Sequence, residues 1–123
     1  MRFINTKLHG ILDYLAGILL LLTPWLWEYD SAGMESLVPL LVGVTVIAVS
    51  LMTDYEAGVL RIIPMKTHLL FDIFSGLFLG ASPWLFGFEH NIYLPHVLFG
   101  GLEISAGLFT KLIPTGNKNS NLI

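Results

Sequence analysis

The sequence predicts an all-α, polytopic membrane protein with four transmembrane helices, arranged as two parallel two-helix repeats, and three observations predict it. The first is composition. With 54% hydrophobic residues, 12% charged residues and a mean hydropathy of +0.75, the chain has too little polar surface to clothe a water-soluble globule of 123 residues. The second is duplication. Lys7, His9, Asp13, Gly17, Leu20, Pro24, Trp25 and Leu26 return as Lys66, His68, Asp72, Gly76, Leu79, Pro83, Trp84 and Leu85, every pair 59 residues apart. Equal sequences in one chain must find equivalent places in one structure. The third is the sorting of cations between loops, taken up below.

Four apolar stretches follow in order, at 8–27, 37–52, 69–88 and 92–112. Each is near the ~20 residues that cross a hydrocarbon core at about 1.5 Å per residue, and the second is the short one. The first is not a cleaved signal peptide, because Asp13 would sit in its apolar core and the same segment recurs internally. Beyond it, Gly43, Ile47, Leu51 and Thr53 meet Gly100, Ile104, Leu108 and Thr110 at an offset of 57. The second helix of each repeat has therefore diverged further, and the second outer loop is shorter. One membrane domain results: repeat one over 7–53, a linker over 54–65 in which Gly58 and Pro64 suit a break and a helix start, repeat two over 66–113, and a polar, mobile tail over 114–123.

The charges set the orientation. Arg2 and Lys7 precede the first stretch, Arg61 and Lys66 lie between the second and third, and Lys111 and Lys118 follow the fourth. The opposite loops carry Glu28, Asp30, Glu35 and Glu89 with no Lys or Arg. The positive-inside rule then puts both termini and the linker in the cytoplasm. Both repeats have the same orientation, related by a pseudo-two-fold axis along the membrane normal. A net charge of -3 excludes a basic footprint for nucleic acid, and the absence of cysteine excludes disulfides and thiolate metal sites. The expected partners are the lipid bilayer and either further copies of the chain or a membrane complex.

Thr-Pro-Trp-Leu-Trp at 23–27 and Ser-Pro-Trp-Leu-Phe-Gly-Phe at 82–88 each end a helix that begins with His-x-x-x-Asp. In these residues the chain closely resembles the SPW-repeat membrane proteins of bacteria and archaea, over most of its length. The resemblance implies a paired-helix membrane repeat and no assigned biochemical role. The first copy departs from the motif at Thr23, which still leaves a hydroxyl before proline.

Pro24, Trp25 and Trp27, with Pro83 and Trp84, read as interfacial anchors: a tryptophan near a helix end places its ring and N–H at the headgroup level. Proline also frees a carbonyl one turn earlier, which Thr23, Ser82 or a neighbouring helix would satisfy. His9 and Asp13, like His68 and Asp72, stack four apart on one face, with Gly17 and Gly76 one turn further on. The Gly76-x-x-x-Gly80 spacing offers a close-packing surface on that side, so both pairs are expected to face inward. In the fourth stretch His96, Gly100, Glu103 and Gly107 form one polar and small-residue stripe whose counterpart reads Pro39, Gly43, Val46 and Ser50. Glu103 thus has no twin, and at about 12 Å from Lys111 it lies near the depth of the two aspartates.

Three functions suit this inner layer. The preferred one is structural or accessory, the buried polar groups pinning helix register at roughly 0.6 kcal/mol each. Proton or cation conduction through an oligomer, using Asp13, Asp72 and Glu103, is the first alternative. Binding of a metal by His9, Asp13, His68 and Asp72, or of a haem by His9 and His68, is the second. The cofactor itself is not specified by the sequence. No serine triad, phosphate-cradling loop or nucleotide motif is present, and an enzyme is not expected.

Overall fold

A computed structural model describes residues 1–29 and 32–114. Asp30, the polar tail from residue 115 onward and Lys118 within it lie outside the described residues. Four helices run in chain order: α1 (Thr6–Leu26), α2 (Met34–Met52), α3 (Met65–Leu85) and α4 (Leu94–Phe109). The first three are long and apolar enough to cross a membrane, and α4 is a shorter apolar helix. The short helix is therefore the fourth and not the second. Thr110 turns extended (ψ 140°), and the chain beyond it pairs with the N-terminal residues instead of adding another turn. In α3 the helix starts four residues before the hydropathy run does, because Pro64 presets the backbone for helix entry.

The bundle is apolar outside and polar inside. The buried face of α1 comprises Thr6, His9, Gly10, Asp13, Gly17, Leu20, Thr23 and Pro24, a helical stripe of small and polar residues. Leu15, Ile18 and Leu22 face outward, as lipid requires. With no hydrophobic drive between helices in lipid, close approach must come from small residues. A β-carbon on Gly100 would lie 2.6 Å from the Gly76 carbonyl oxygen and 2.7 Å from the Gly80 nitrogen, so α3 and α4 touch backbone to backbone there. Gly43 meets the Gly17 carbonyl in the same way at 2.9 Å, which makes α1–α2 and α3–α4 equivalent pairs.

Two short bridges close the pairs into a ring. Ile63 pairs with Thr53 and Ile4 pairs with Thr110. In one bridge Ile63 N–H donates to Met52 O (2.9 Å) and Asp54 N–H to Ile63 O (2.8 Å). In the other Ile4 N–H donates to Phe109 O (3.0 Å) and Lys111 N–H to Ile4 O (2.9 Å). These are the same bonds under the two offsets, so the start of the chain lies against the end of α4 as the linker lies against the end of α2. Arg2 strengthens the Ile4–Thr110 closure by donating to Gly107 O (2.9 Å) and Thr110 O (2.7 Å) at the carbonyl end of α4. Between repeats, α2 lies against α3 more extensively than α1 lies against α4.

The Pro-Trp motifs resolve into a hydrogen-bond exchange. Proline at 24 removes the donor for the carbonyl of Leu20, and proline at 83 removes that for Leu79. Thr23 Oγ1 donates to Leu20 O at 2.7 Å, and Ser82 Oγ donates to Leu79 O at 2.6 Å. The hydroxyl before each proline thus satisfies the carbonyl that the proline orphans. The tryptophan after it points out, Trp25 being 69% and Trp84 56% exposed.

Two predictions follow from these contacts. Gly100→Ala should destabilise the detergent-solubilised protein by about 1–3 kcal/mol, since backbone and not a flexible side chain is in the way. Gly101→Ala, where nothing lies within 4 Å, should be neutral or mildly stabilising in the same thermal melts. Ser82→Ala leaves a buried carbonyl unpaired and should cost about 1–3 kcal/mol, whereas Ser82→Thr, the first copy's own solution, should melt close to the native protein.

Candidate metal centre

The N-terminal ends of α1 and α3 lie side by side. His9 and His68 are fully buried, as are Asp13 and Asp72 at 2% exposure each. His9 Nε2 lies 3.1 Å from His68 Nε2, 3.0 Å from Asp13 Oδ2 and 3.0 Å from Asp72 Oδ2. His68 Nε2 lies 2.7 Å from Asp13 Oδ2 and 3.4 Å from Asp72 Oδ2. Two imidazole nitrogens and two carboxylate oxygens therefore converge within 4.8 Å of one another, one His-Asp pair from each repeat. That the two histidines touch places them at one depth, with both repeats running the same way through the membrane.

The outer face of each ring is held across the repeat boundary. Thr53, ending α2 of repeat one, is 2.7 Å from His68 Nδ1 of repeat two. Thr110, ending α4 of repeat two, is 2.8 Å from His9 Nδ1 of repeat one. Thr53 Oγ1 donates its own proton to Val49 O at 2.6 Å, so His68 Nδ1–H must be the donor to Thr53. A neutral His68 then carries its lone pair on Nε2, aimed into the cluster. Tyr55 from the linker packs on the His68 ring (centroids 5.4 Å apart) and is itself buried. Burial pushes its phenol up, so it stays a neutral apolar cover at neutral pH. The linker is moored to α1 by Tyr14 Oη donating to Ala57 O (2.8 Å) and Thr6 Oγ1 donating to the Glu56 carboxylate (2.6 Å).

The repeat symmetry fails at one aspartate. Ser50 Oγ donates to Asp13 Oδ2 at 3.1 Å, but the counterpart of Ser50 is Gly107, whose missing side chain leaves room for Ile73 and the Leu69 carbonyl. Among the described residues Asp72 Oδ2 accordingly has no aligned hydrogen bond, although His9 Nε2 is 3.0 Å away.

The remaining sequence candidates fall elsewhere. Glu103 is buried on α4, its β-carbon 2.9 Å from where one on Gly76 would lie, and it lines a cavity that Asp13 also lines. His96 is at the outer end of the bundle, where its Nε2–H donates to Glu35 O at 2.9 Å and its ring packs on Phe88. An apolar layer of Leu20, Val38, Val42, Val46, Leu79 and Phe99 forms the core of the helices. Trp27, 40% exposed, joins Trp25 and Trp84 on the outer surface, while Pro24 and Pro83 are buried. Gly17, Gly76, Gly100 and Gly107 sit at close crossings; Gly80 is less demanding, since a β-carbon there would come no nearer than 3.9 Å to Gly100. Thr53, Thr110, Ser50 and Tyr55 were not among the expected site residues. The signal for the threonines was present, as an identical pair closing two helices that otherwise diverged.

No curated protein and no solved structure matches the chain significantly. A family model does match, the SPW repeat domain, over residues 7–110. That span opens at the lysine before the first His-x-x-x-Asp and closes at the threonine that holds His9, and the chain belongs to the SPW repeat family.

Proposed function

We propose that this small multi-pass membrane protein is a metal-stapled structural or accessory component, in which one divalent ion of the zinc class joins the inner ends of α1 and α3. The observation that carries the reading is the four-donor convergence. Tetrahedral ligands at about 2.0–2.1 Å from zinc stand about 3.3–3.4 Å apart; here the five nitrogen–nitrogen and nitrogen–oxygen separations run from 2.7 to 3.4 Å and all four donors lie within 4.8 Å of one another, so small side-chain shifts would bring them to an ion. Charge balance permits it, because two neutral histidines, two carboxylates and a divalent cation sum to zero, as two protonated histidines with two carboxylates also would. The threonine at each Nδ1 is the outer partner that fixes ring orientation in such centres. All four positions come from protein, which is the closed arrangement of a structural site and not of a catalytic one.

A haem suits the geometry less well, since two axial bonds of about 2 Å in line would hold the nitrogens about 4 Å apart with a macrocycle between them. Conduction within one chain finds no support in the apolar layer that lies along the helices between the cluster and His96. One other reading has an observation in its favour. The 2.7 Å His68–Asp13 contact is the length of a charge-assisted hydrogen bond, and two protons could replace the ion while pinning the same helices.

Elemental analysis of protein purified without chelators decides between them. The expected result is about one divalent transition-metal ion per chain, lost in His9→Ala and in His68→Ala, with visible absorption bands of tetrahedral cobalt when Co2+ replaces it. Chelation should lower stability by about 4 kcal/mol when the ion had been present at a thousandfold its Kd. Metal-free protein that takes up neither zinc nor cobalt would leave the proton-pinned structural account.

The orientation proposed is both termini and the linker in the cytoplasm of a prokaryotic cell, because Arg2, Lys7, Arg61, Lys66 and Lys111 share one end of the bundle. The chain has no cysteine, so labelling is free of background. A cysteine replacing exposed His90 should react with an impermeant maleimide in intact cells, and one replacing Val59, 70% exposed, should react only after lysis. The reverse pattern would invert the orientation.

A further inference from the structure

We infer that the seam between α1 and α4 is a binding site for a membrane-soluble molecule with a long apolar body and a hydroxyl head, the head docking at Glu103. A cavity of about 340 Å3 opens there, with Leu12, Leu15 and Leu19 of α1 facing Phe99 and Leu102 of α4. That volume lies within the range of small-molecule sites, and the lining is apolar apart from a few polar groups, as such sites are. Glu103 lines it, is only 4% exposed, and has a buried Oε2 with no hydrogen-bond partner among the described residues. A carboxyl oxygen held in a low-dielectric interior without a partner calls for a hydrogen-bonding group.

Comparison of the two seams identifies this one as specialised. At the equivalent seam, between α3 and α2, Phe71, Phe74 and Phe78 stand where Leu12, Leu15 and Leu19 stand, and Val46 stands where Glu103 stands. Val46 is part of the apolar core, and that seam packs more extensively. The repeat departs from its symmetry in size and in chemistry at one place. A packing accident would account for one of these departures; smaller side chains around an unpartnered acceptor account for a ligand. The occupant reaches the seam from lipid, so its body is apolar. Its head is a hydroxyl because that group can donate to an ionised Glu103 or accept from a protonated one, whereas a fatty acid would bring a second carboxyl against the first. Glu103 is not one of the four metal donors, and the site stands whether or not a metal is bound.

The test uses the full chain in lipid nanodiscs and a long-chain alcohol carrying a mid-chain diazirine. Photolysis should label α1 around Leu15–Leu19 and α4 around Phe99–Leu102, with competition by the unmodified alcohol. The corresponding diazirine alkane should label these segments roughly 5- to 10-fold less, the worth of one buried hydrogen bond. Glu103→Val, the first repeat's own residue at that position, should reduce labelling by the alcohol to the alkane level. Glu103→Gln, which keeps an acceptor, should retain most of it, and Ala106→Trp should block it by filling the cavity. Thermal melts of each variant establish that it is folded. Labelling spread evenly over the lipid-facing helices, equal labelling by alcohol and alkane, or full labelling of folded Glu103→Val would each overturn the proposal.

Discussion

Everything in this structure is organised by the contact between two histidine nitrogens 3.1 Å apart. His9 Nε2 and His68 Nε2 can face each other only with a proton or an ion between them, and the two carboxylates alongside repel, so positive charge at the centre stabilises the cluster. The cluster lies where the N-terminal ends of α1 and α3 meet. The other arrangements follow from that meeting. The rings need partners on their outer faces, and the partners available are the threonines that end the second helix of the opposite repeat. Each repeat is thereby completed by the other, which explains why the helix pairs form a closed ring and not two hairpins side by side.

The glycine crossings and the proline exits are consequences of the same arrangement at greater distance from the centre. If α1 and α3 converge at their inner ends, α2 and α4 must lie close against them, and the Gly17–Gly43 and Gly76–Gly100 contacts supply that closeness where lipid supplies no drive. Toward the outer ends the helices must stop near the headgroups. Proline removes one donor from the hydrogen-bond ladder, the preceding hydroxyl takes the orphaned carbonyl, and the following tryptophan is exposed on the surface of the bundle. Hydroxyl, proline and tryptophan thus do three different jobs in three consecutive residues. That division explains why threonine serves in the first copy where serine serves in the second.

Much of this was legible because duplication makes a sequence comment on itself. The four helices, the inward His-Asp faces, the shared depth of the pairs and the hydroxyl-proline exchange could all be reasoned from residues repeated at one offset. What escaped were contacts between the repeats. Nothing local to His68 announces that Thr53 will hold it, since the bond joins a helix start to the end of the preceding helix across a bend. The same offset of 59 also continues upstream, pairing Arg2 with Arg61 and Ile4 with Ile63. That continuation marks the bridge segments, but two isolated identities in a polar lead-in carry little weight before the bridges are seen. Helix length was misjudged for a related reason: hydropathy runs through Thr110 to Leu112, while the backbone leaves the helix at Thr110 to pair with Ile4.

A duplicated protein also separates what its fold requires from what has been added to it. Residues that both copies keep, the His-Asp pairs, the terminal threonines and the proline exits, build the ring and its centre, and losing either copy would leave half a site. Residues that one copy has alone cannot be demanded by that architecture, because the other copy forms its equivalent without them. Ser50 opposite Gly107 makes the two aspartates unequal, one with a hydroxyl donor and one without. Glu103 opposite Val46 places an acid where the fold is content with an apolar residue. A buried acid is costly, the equivalent seam does without one, and the cost is sustained at the seam that is open to lipid. The symmetric part of the molecule therefore accounts for the ring and its centre, and Glu103 at the open seam is an addition that the ring itself does not require.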